Sequence, residues 1–585
     1  MFRHTPIPPD KMASSLFSLW SERISPESSS RPILMFPAGK SFTGEEVITE
    51  TLRLKRAFSR IWLEQVEAPI TGSDNDPKVI FCLPDPIPSI VLTFRLALPE
   101  AGIIPYGISL AQMANDGAEY IDNSNSQFVF LIDEVLAYQD LGVTIAKQVN
   151  DSRAKGVVIL SKHDYTAEGY TATDAATFQK LFPKKLVLVM STLLAYDDGV
   201  ERQVESKTGV GAIFNTSGTT GRAKGVVIPK ERAAASFNSI CLDFTGFRDV
   251  NENTIFLALL PLHASAGTQH GFDDPFLSGA TIFLQPGYDL KRFPQDLLNI
   301  KRHVKTNQSV DLIAPVDHFR ELLFCKNLPD GCLSHIRRIA LVGSAITPAD
   351  MQRFIATAKR LGITAIQDAY GCTEDIPGTS AQDYLRDKDN PSIKRLFKGS
   401  EYRILDKQGN DLPPGTIGNL FAKRREGTYQ KYLSRPELDA LAYPFDPNWR
   451  STGDIAEQVI GTTDGFIIYG RSKDSFYVDN EIHYLYPLRN ALTIPDAVFK
   501  AEPVKLNLPS HVIVAHVVLY EGVDRVEAYN EIMQACANLP TLERPASIKF
   551  VADIPLNPET GKRLVEPMPN DLDGYGINGD ISFRP

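Results

Sequence analysis

Residues 214–228 combine the side chains and turns that bind a polyphosphate. The segment reads Phe-Asn-Thr-Ser-Gly-Thr-Thr-Gly-Arg-Ala-Lys-Gly-Val-Val-Ile. Glycine permits tight turns and lets the backbone approach a ligand closely. Adjacent backbone N–H groups in such a turn form an anion-binding nest, which hydroxyl groups and an ammonium complete. The predicted phosphate loop consists of Thr216, Ser217, Gly218, Thr219, Thr220, Gly221 and Lys224.

This phosphate loop differs from the Walker A loop, which reads G-x-x-x-x-G-K-[ST] and leads into a helix. Counting from Gly218, Ala223 takes the second glycine position, and Gly225 stands where a Ser or Thr should be. The following Val-Val-Ile-Pro favours a strand, because β-branched residues and an early proline suit strands. We therefore predict that the loop joins two strands. A solvated Ser/Gly loop would leave Lys224 and the flanking apolar runs unexplained.

Five further motifs follow the loop in order along the chain. They are Gly343-Ser344-Ala345, Tyr370-Gly371-Cys372-Thr373-Glu374, Ser451-Thr452-Gly453-Asp454, Gly470-Arg471-Ser472-Lys473-Asp474 and Leu556-Asn557-Pro558-Glu559-Thr560-Gly561-Lys562. Together with the loop, this ordered set resembles the motifs of the adenylate-forming superfamily. That superfamily contains acyl- and aryl-CoA synthetases, adenylation domains of nonribosomal peptide synthetases, and luciferases. The first two hundred residues match it only in general pattern.

The resemblance implies two half-reactions. A carboxylate first attacks the α-phosphate of ATP, which gives an acyl-adenylate and pyrophosphate. A thiol, usually that of phosphopantetheine on CoA or on a carrier protein, then displaces AMP. The first step brings two anions together, so it requires cations and N–H donors where charge accumulates. ATP and Mg²⁺ are the implied cofactors.

The resemblance also assigns roles around ATP. Lys224 would act as a point charge on the β- and γ-phosphates, and Thr373 would hydrogen-bond the α-phosphate. Glu374 would hold Mg²⁺, a hard cation that takes one or two carboxylates plus phosphate oxygens. Tyr370 would offer a flat face to adenine, and Asp454 would accept both ribose hydroxyls. The remaining implied ATP-binding residues are Gly343, Ser344, Ala345, Asp368, Ala369, Gly371 and Arg471.

Two lysines are implied to act at the domain junction. Lys562 would come from a small mobile domain and place its ammonium between the attacking carboxylate and the α-phosphate. Lys473, two residues after Arg471, falls where the family keeps its hinge, about which the small domain swings between two poses. The implied catalytic residues are Lys562, Thr373 and Glu374.

The acid substrate is less well defined by the sequence. Aligning from Pro261 places His263 beside the substrate, whereas aligning backwards from residues 277–280 places Ser265 or Ala266 there. Neither alignment supplies the aspartate with which peptide-synthetase domains hold an α-amino group, because Asp273 and Asp274 come too late unless an insertion has moved them. His263 and His270 favour packing or polar-wall roles over chemical ones. The predicted pocket residues are His263, Ser265, Gly267, Ala345 and Cys372.

Two other positions depart from the family pattern. Asn419 replaces a glutamate in Gly418-Asn419-Leu420, and Asn480 replaces a glycine beside the thiol tunnel. Asparagine tolerates positive φ. The backbone at Asn480 can therefore keep the conformation of the family's glycine, while the asparagine side chain narrows the tunnel.

Composition limits the partners. The chain of 585 residues is 43% hydrophobic and 23% charged with a net charge of −10, which is typical of globular proteins and lacks the basic footprint of nucleic-acid binders. Six cysteines without C-x-x-C spacing indicate neither zinc nor disulfides. No apolar run suggests a signal core or a membrane span, so we expect a cytoplasmic protein.

The chain is long enough for two or more domains. Short apolar strands alternating with amphipathic segments favour an α/β fold of layered sheets, with a small β subdomain over residues 401–423. We predict a large AMP-binding domain over residues 1–472, a small mobile C-terminal α+β domain over residues 473–567, and a disordered Gly/Asp/Asn-rich tail over residues 568–585. In the large domain, Thr347 and Pro348 are predicted to begin a helix that Gly362 ends.

The leading hypothesis is a stand-alone ligase that delivers a small carboxylic or amino acid to CoA or to a separate carrier protein. Too few residues follow Lys562 for a carrier domain of its own. An amide-forming synthetase, whose adenylate passes directly to an amine, is a second hypothesis, and the Asn480 departure would permit it. A non-catalytic adenylate-binding scaffold is a third, disfavoured by the intact Lys224, Glu374, Asp454 and Lys562.

Overall fold

A computed structural model provides the architecture of the protein. It describes residues 5–37, 40–66, 76–82, 87–161, 164–165, 175–204, 209–216, 223–241, 249–285, 290–375, 380–381, 390, 392–478, 481–505, 513–554 and 581–582. Among the predicted site residues, those outside the described part are Ser217, Gly218, Thr219, Thr220, Gly221 and Lys562.

The strands, in chain order, are β1 Pro32–Met35, β2 Ser41–Thr43, β3 Lys78–Cys82, β4 Ile104–Ile108, β5 Phe128–Ile132, β6 Gly156–Leu160, β7 Leu186–Val189, β8 Val210–Thr216, β9 Lys224–Pro229, β10 Thr254–Ala258, β11 Thr281–Leu284, β12 Ser309–Pro315, β13 Ile336–Val342, β14 Ala365–Tyr370, β15 Ser380–Ala381, β16 Lys394–Leu396, β17 Tyr402–Leu405, β18 Gly418–Lys423, β19 Lys431–Tyr432, β20 Trp449–Gln458, β21 Gly465–Arg471, β22 Ser475–Val478, β23 Glu481–Tyr484, β24 Val498–Lys505, β25 Ile513–Leu519, β26 Ser547–Phe550 and β27 Ile581–Ser582.

The α-helices are α1 Leu16–Ser21, α2 Pro26–Ser29, α3 Gly44–Gln65, α4 Pro88–Val91, α5 Leu98–Ala101, α6 Leu110–Ser124, α7 Asp133–Ala137, α8 Gln139–Asp151, α9 Ala175–Gln179, α10 Met190–Leu194, α11 Arg232–Ser236, α12 Ser265–Thr268, α13 Asp274–Leu277, α14 Phe293–Asn299, α15 Val316–Phe324, α16 Pro348–Leu361, α17 Pro436–Ala442, α18 Tyr486–Thr493 and α19 Arg525–Cys536. Three π-helical segments, Leu92–Ala97, Phe237–Cys241 and Gln269–Asp273, continue α4, α11 and α12.

The first sheet has eight strands in the order β19-β9-β8-β4-β3-β5-β6-β7. From β8 to β7 neighbouring strands run parallel, and β9 turns back antiparallel on β8. Strands such as Phe128–Ile132 and Gly156–Leu160 are buried at every residue. Continuous apolar runs of this kind belong to parallel sheets that helices cover on both faces.

The second sheet has thirteen strands in the order β17-β18-β20-β21-β16-β15-β14-β13-β12-β10-β11-β1-β2. Its middle, from β14 to β1, is parallel, whereas β15 to β18 with β20 and β21 pair antiparallel. The predicted α/β fold of layered sheets is confirmed. The β strands expected over residues 401–423 also form, and they extend the second sheet through the β14–β15 pair.

Helix α16 shows how the sequence fixes one part of the site. The Thr347 hydroxyl accepts a hydrogen bond from the Asp350 backbone N–H at 3.2 Å, and Pro348 occupies the first turn. Gly362 ends the helix with φ of 85°, in the left-handed region that glycine adopts without strain. The prediction for this helix is confirmed, and the helix connects the ends of β13 and β14.

The C-terminal part of the chain forms a separate α+β layer. Strands β24 to β27 form a four-stranded sheet that packs with α18 and α19 around a core of its own. This layer contacts helices α15 and α16: the Phe324 and Phe499 ring centroids lie 3.8 Å apart, and Arg353 donates to the Val498 carbonyl at 2.7 Å. Helix α19 ends at Cys536.

None of the helices in the described residues is both long and apolar enough to cross a membrane. All six cysteines are free thiols.

Candidate functional site

The predicted phosphate loop connects β8 and β9, as its sequence indicates. Thr216 and Lys224, the first and last residues of the loop, are paired across the antiparallel ladder, and Asn215 pairs with Gly225. The side chain of Lys224 lies over the Tyr432 ring, with its Nζ 5.4 Å from the ring centroid. The β8–β9 hairpin therefore holds the two ends of the loop next to each other, beside β19.

A cavity of about 480 Å³ lies where these strand ends meet those of β13 and β14. Ligands of open α/β sheets bind at the carboxyl ends of the strands, and this cavity occupies that position. Its wall includes the predicted residues Thr216, Lys224, Ser265, Gly267, Gly343, Ala369, Tyr370, Gly371, Cys372, Thr373, Glu374 and Arg471. Five separated segments of the chain thus converge on one space.

The predicted metal ligand, Glu374, is held by a tyrosine. The Tyr432 phenol donates to Glu374 Oε1 at 2.7 Å, and the Tyr429 backbone N–H donates to the Glu374 carbonyl at 3.0 Å. Burial, followed by the neighbouring Glu374 charge, raises the pKa of the Tyr432 phenol, so it remains a donor. Tyr432 therefore links the carboxylate to Lys224, which lies over its ring.

The predicted nucleoside residues also contact one another. The Tyr370 phenol donates to Asp454 Oδ2, and Arg471 Nε lies 3.3 Å from Asp454 Oδ1. Asp454 and Arg471 are register partners on β20 and β21. The Asp454 charge raises the pKa of Arg471, and burial together with Asp454 raises the pKa of Tyr370. Asp454 itself is buried and is not part of the cavity wall, whereas its partners Tyr370 and Arg471 are.

Among the described residues, three other predicted nucleotide residues lie outside the cavity wall. Asp368 is buried on β14 and its Oδ2 accepts from Lys394 Nζ at 2.7 Å. Burial raises the pKa of this carboxyl, and the Lys394 charge opposes the increase. Ser344 and Ala345 follow Gly343, which lines the cavity, but are not themselves part of its wall.

The predicted substrate pocket is only partly assembled as expected. Ser265, Gly267 and Cys372 line the cavity, but His263 does not. The backbone of His263 packs against Gly107, where an added Cβ would lie 3.0 Å from the His263 Cα. Gly267 permits close backbone packing as well, because a Cβ there would lie 2.2 Å from the Pro261 carbonyl oxygen.

A buried arginine that sequence reasoning missed holds the segment containing Thr373 and Glu374. Arg232 Nε donates to the Gly427 carbonyl at 2.8 Å, Nη1 to the Asp375 carbonyl at 2.7 Å, and Nη2 to the Thr373 carbonyl at 2.9 Å. It is 5% exposed, and burial lowers its pKa to about 10. The available signal was a single charge at the start of the small-residue helix α11, Arg-Ala-Ala-Ala-Ser.

A second arginine supports the same segment from the other side. Arg450 Nη2 donates to Asp375 Oδ2 at 2.7 Å and to Cys372 Sγ at 2.9 Å, and its Nε donates to Asp375 Oδ1 at 3.1 Å. A bidentate pair between arginine and carboxylate fixes geometry as well as charge. Cys372 is therefore engaged by the arginine, and burial raises the pKa of its thiol.

The predicted hinge, Lys473, lies in a 3-10 turn, Ser472–Asp474, directly after β21. Its carbonyl accepts from Lys505 Nζ at 3.2 Å, and the same ammonium donates to the Ser475 carbonyl at 2.9 Å. Asp474 is half-buried, and burial raises the pKa of its carboxyl. Asn480 lies outside the described residues.

Known proteins resemble this chain in sequence. The sequence model of the family described as AMP-binding enzyme matches residues 72–433. The chain is 28% identical over 60% of its length to 3-[(3aS,4S,7aS)-7a-methyl-1,5-dioxo-octahydro-1H-inden-4-yl]propanoyl:CoA ligase of Rhodococcus jostii, covering 63% of that protein. It is 26% identical over 59% of its length to sulfoacetate–CoA ligase of Cupriavidus necator, covering 64% of that protein. The matches thus span less than two thirds of these relatives.

Among solved structures, an anthranilate CoA ligase in complex with anthranoyl-AMP has a TM-score of 0.74 with this protein. The two are 18% identical, over 96% of this chain and 97% of that one. This similarity shows a shared fold. Because the family model covers more than half of the sequence, the chain belongs to the AMP-binding enzyme family, the adenylate-forming superfamily that its ordered motifs resemble.

Proposed function

We propose that this protein is an ATP-dependent ligase that converts a small carboxylic acid into an acyl-adenylate and passes the acyl group to a phosphopantetheine thiol. The observation that supports this proposal most strongly is the convergence of Lys224, Thr373, Glu374 and Arg471 on one cavity, with Tyr370 beside them. Lys224 and Arg471 are cations and Thr373 is a hydrogen-bond donor, as a reaction between two anions requires.

Lys224 and Arg471 would hold the phosphates and the ribose side of ATP, with the Thr373 hydroxyl directed to the α-phosphate. Tyr370 would lie against adenine. Asp454, already fixed by Tyr370 and Arg471, would accept the ribose hydroxyls if the Tyr370 phenol gives up its hydrogen bond. Lys562, brought by the small domain that we propose to begin at Lys473, would neutralise the carboxylate as it attacks.

The donor set of Glu374 fits Mg²⁺. Its Oε1 accepts from Tyr432, and within the described part of the chain no hydrogen bond engages Oε2. No group of three or more metal-ligating side chains occurs among the described residues, and Mg²⁺ commonly binds one or two carboxylates plus substrate phosphates. When bound, the ion would neutralise charge on the phosphates. Glu374 would hold it and Tyr432 would orient Glu374.

The acceptor is tested by a product assay. The protein is incubated with ATP, Mg²⁺ and a panel of carboxylic acids, together with CoA, a phosphopantetheine-loaded carrier protein or a primary amine, and products are identified by mass spectrometry. An acyl thioester with CoA or with the carrier supports the proposal. Amide as the only product would overturn the thiol acceptor in favour of amide synthesis, and ATP binding without any acyl-AMP would overturn ligase activity in favour of a scaffold.

A further inference from the structure

A histidine in the wall of the same cavity pairs with a buried aspartate, and neither residue has a role in the binding of ATP proposed above. His270 lines the cavity, and its Nδ1 lies 2.9 Å from Asp274 Oδ2. The two residues are four apart at the π-helical turn Gln269–Asp273. Single π-helical turns within helices occur frequently at functional sites. The His270 side chain remains 15% exposed, whereas that of Asp274 is 5% exposed.

The other contacts of Asp274 indicate the tautomer of His270. The Ser236 hydroxyl and Gln269 Nε2 both donate to Asp274 Oδ1, the latter at 3.0 Å. A carboxylate oxygen accepts hydrogen bonds, so the imidazole tautomer that pairs with Asp274 Oδ2 carries its proton on Nδ1. Nε2 is then an acceptor, and no described residue donates a hydrogen bond to it. A carboxylate bonded to the other ring nitrogen in this way fixes both tautomer and ring orientation.

The surroundings of His270 define what this acceptor can bind. The wall of this cavity includes the apolar side chains Ile240, Leu260, Ile313, Val342 and Phe397. Pockets of this type use a few placed polar groups to orient a ligand. A hydroxyl or an aromatic amine on the ligand would donate a hydrogen bond to the His270 Nε2 acceptor. A ligand that lacks such a donor would leave Nε2 unpaired.

Charge favours a neutral donor over an α-ammonium group. Among the described residues of the wall, Glu374 is the one carboxylate, whereas Lys224, Arg232, Arg450 and Arg471 are cationic. Asp273, which could have held an ammonium, is turned away and buried against Arg95, whose Nε donates to Asp273 Oδ1 at 3.0 Å.

We propose that His270, held by Asp274, is a specificity-determining residue that accepts a hydrogen bond from a hydroxyl or aromatic amine on the acid substrate. The inference rests on the proposed function and names its substrate class: hydroxy- or arylamino-carboxylic acids. A site built to hydrogen-bond a substrate group discriminates strongly against analogues that lack it, because its own polar atom is then left unpaired.

The test compares matched acids: benzoic acid with its three monohydroxy and three monoamino derivatives, and octanoic acid with 8-hydroxyoctanoic acid. Acid-dependent pyrophosphate release gives kcat/KM for each. In the wild type we expect at least one donor-bearing acid to exceed its parent by about tenfold or more. His270→Leu should reduce that ratio to near one, and His270→Gln, which can still accept, should retain part of it.

His303→Gln, a histidine of the helical turn Ile300–His303 outside the cavity wall, is the matched control and should keep the wild-type ratio. Thermal unfolding of each variant verifies that it folds. Equal use of parent and derivatives by the wild type, or a ratio that survives in folded His270→Leu, overturns the inference while leaving the ligase proposal intact. Activation of no acid at all contradicts the proposed function itself.

Discussion

Arg232→Met tests whether the buried arginine sets the geometry of the segment that contains Thr373 and Glu374. The substitution keeps an unbranched side chain about as long as the arginine stem but removes the guanidinium that donates to three backbone carbonyls. A hydrogen bond from a charged donor contributes roughly 1.5–3 kcal/mol, so the three together amount to about 4.5–9 kcal/mol if the carbonyls stay buried and unpaired.

Part of that energy is recovered in the variant. Arg232 lines the cavity, so water can enter the vacated space and donate hydrogen bonds to the three carbonyls. We expect about 3 kcal/mol to appear as weaker transition-state stabilisation, which corresponds to a reduction of roughly 100-fold in kcat/KM for adenylation. Arg232→Lys replaces the planar guanidinium with one compact ammonium. Its kcat/KM for adenylation should lie between those of the wild type and Arg232→Met.

The assay is acid-dependent pyrophosphate release at several Mg²⁺ concentrations, paired with thermal unfolding. A loss of activity in a variant that still unfolds cooperatively supports the positioning role. Wild-type kcat/KM in Arg232→Met would refute the reasoning, and so would a loss of activity fully explained by a global loss of folding.

Three further substitutions test separate parts of the site. Tyr432→Phe removes the phenol that orients Glu374, so the Mg²⁺ concentration for half-maximal activity should rise about 2- to 10-fold; an unchanged Mg²⁺ titration would contradict this. Lys562→Ala should slow adenylate formation by about 10²–10³ yet spare thiolysis of supplied acyl-adenylate, and equal loss of both steps would contradict its single role. Lys473→Pro should leave adenylation near normal and suppress acyl transfer in single-turnover assays, because proline fixes φ at the proposed hinge; joint loss of both steps would make Lys473 merely structural.

Short sequence motifs correctly predicted strand β9 and the two ends of helix α16. Val-Val-Ile-Pro after the phosphate loop indicated a strand, and β9 begins at Lys224. Thr347, Pro348 and Gly362 set both ends of α16. Each of these motifs acts on the backbone of its immediate neighbours alone, so its effect does not depend on the rest of the fold.

Local motifs did not predict contacts between residues that lie far apart in the sequence. Arg232 donates to Thr373, 141 positions away, and Tyr432 to Glu374, 58 positions away. One of two alignments placed His263 beside the substrate, but its backbone packs against Gly107 and it is not part of the cavity wall. The pairing of His270 with Asp274 was visible as a four-residue spacing, yet only the fold shows that the pair lies in the cavity wall.

The central claim is that this cavity activates a carboxylic acid as its adenylate. ATP–pyrophosphate exchange, measured with the wild-type protein over a panel of aryl, fatty and amino acids with and without Mg²⁺, tests it most directly. We expect Mg²⁺-dependent exchange with at least one carboxylic acid, accompanied by the corresponding acyl-AMP in the mass spectrum. ATP binding without exchange for any acid in the panel would contradict it.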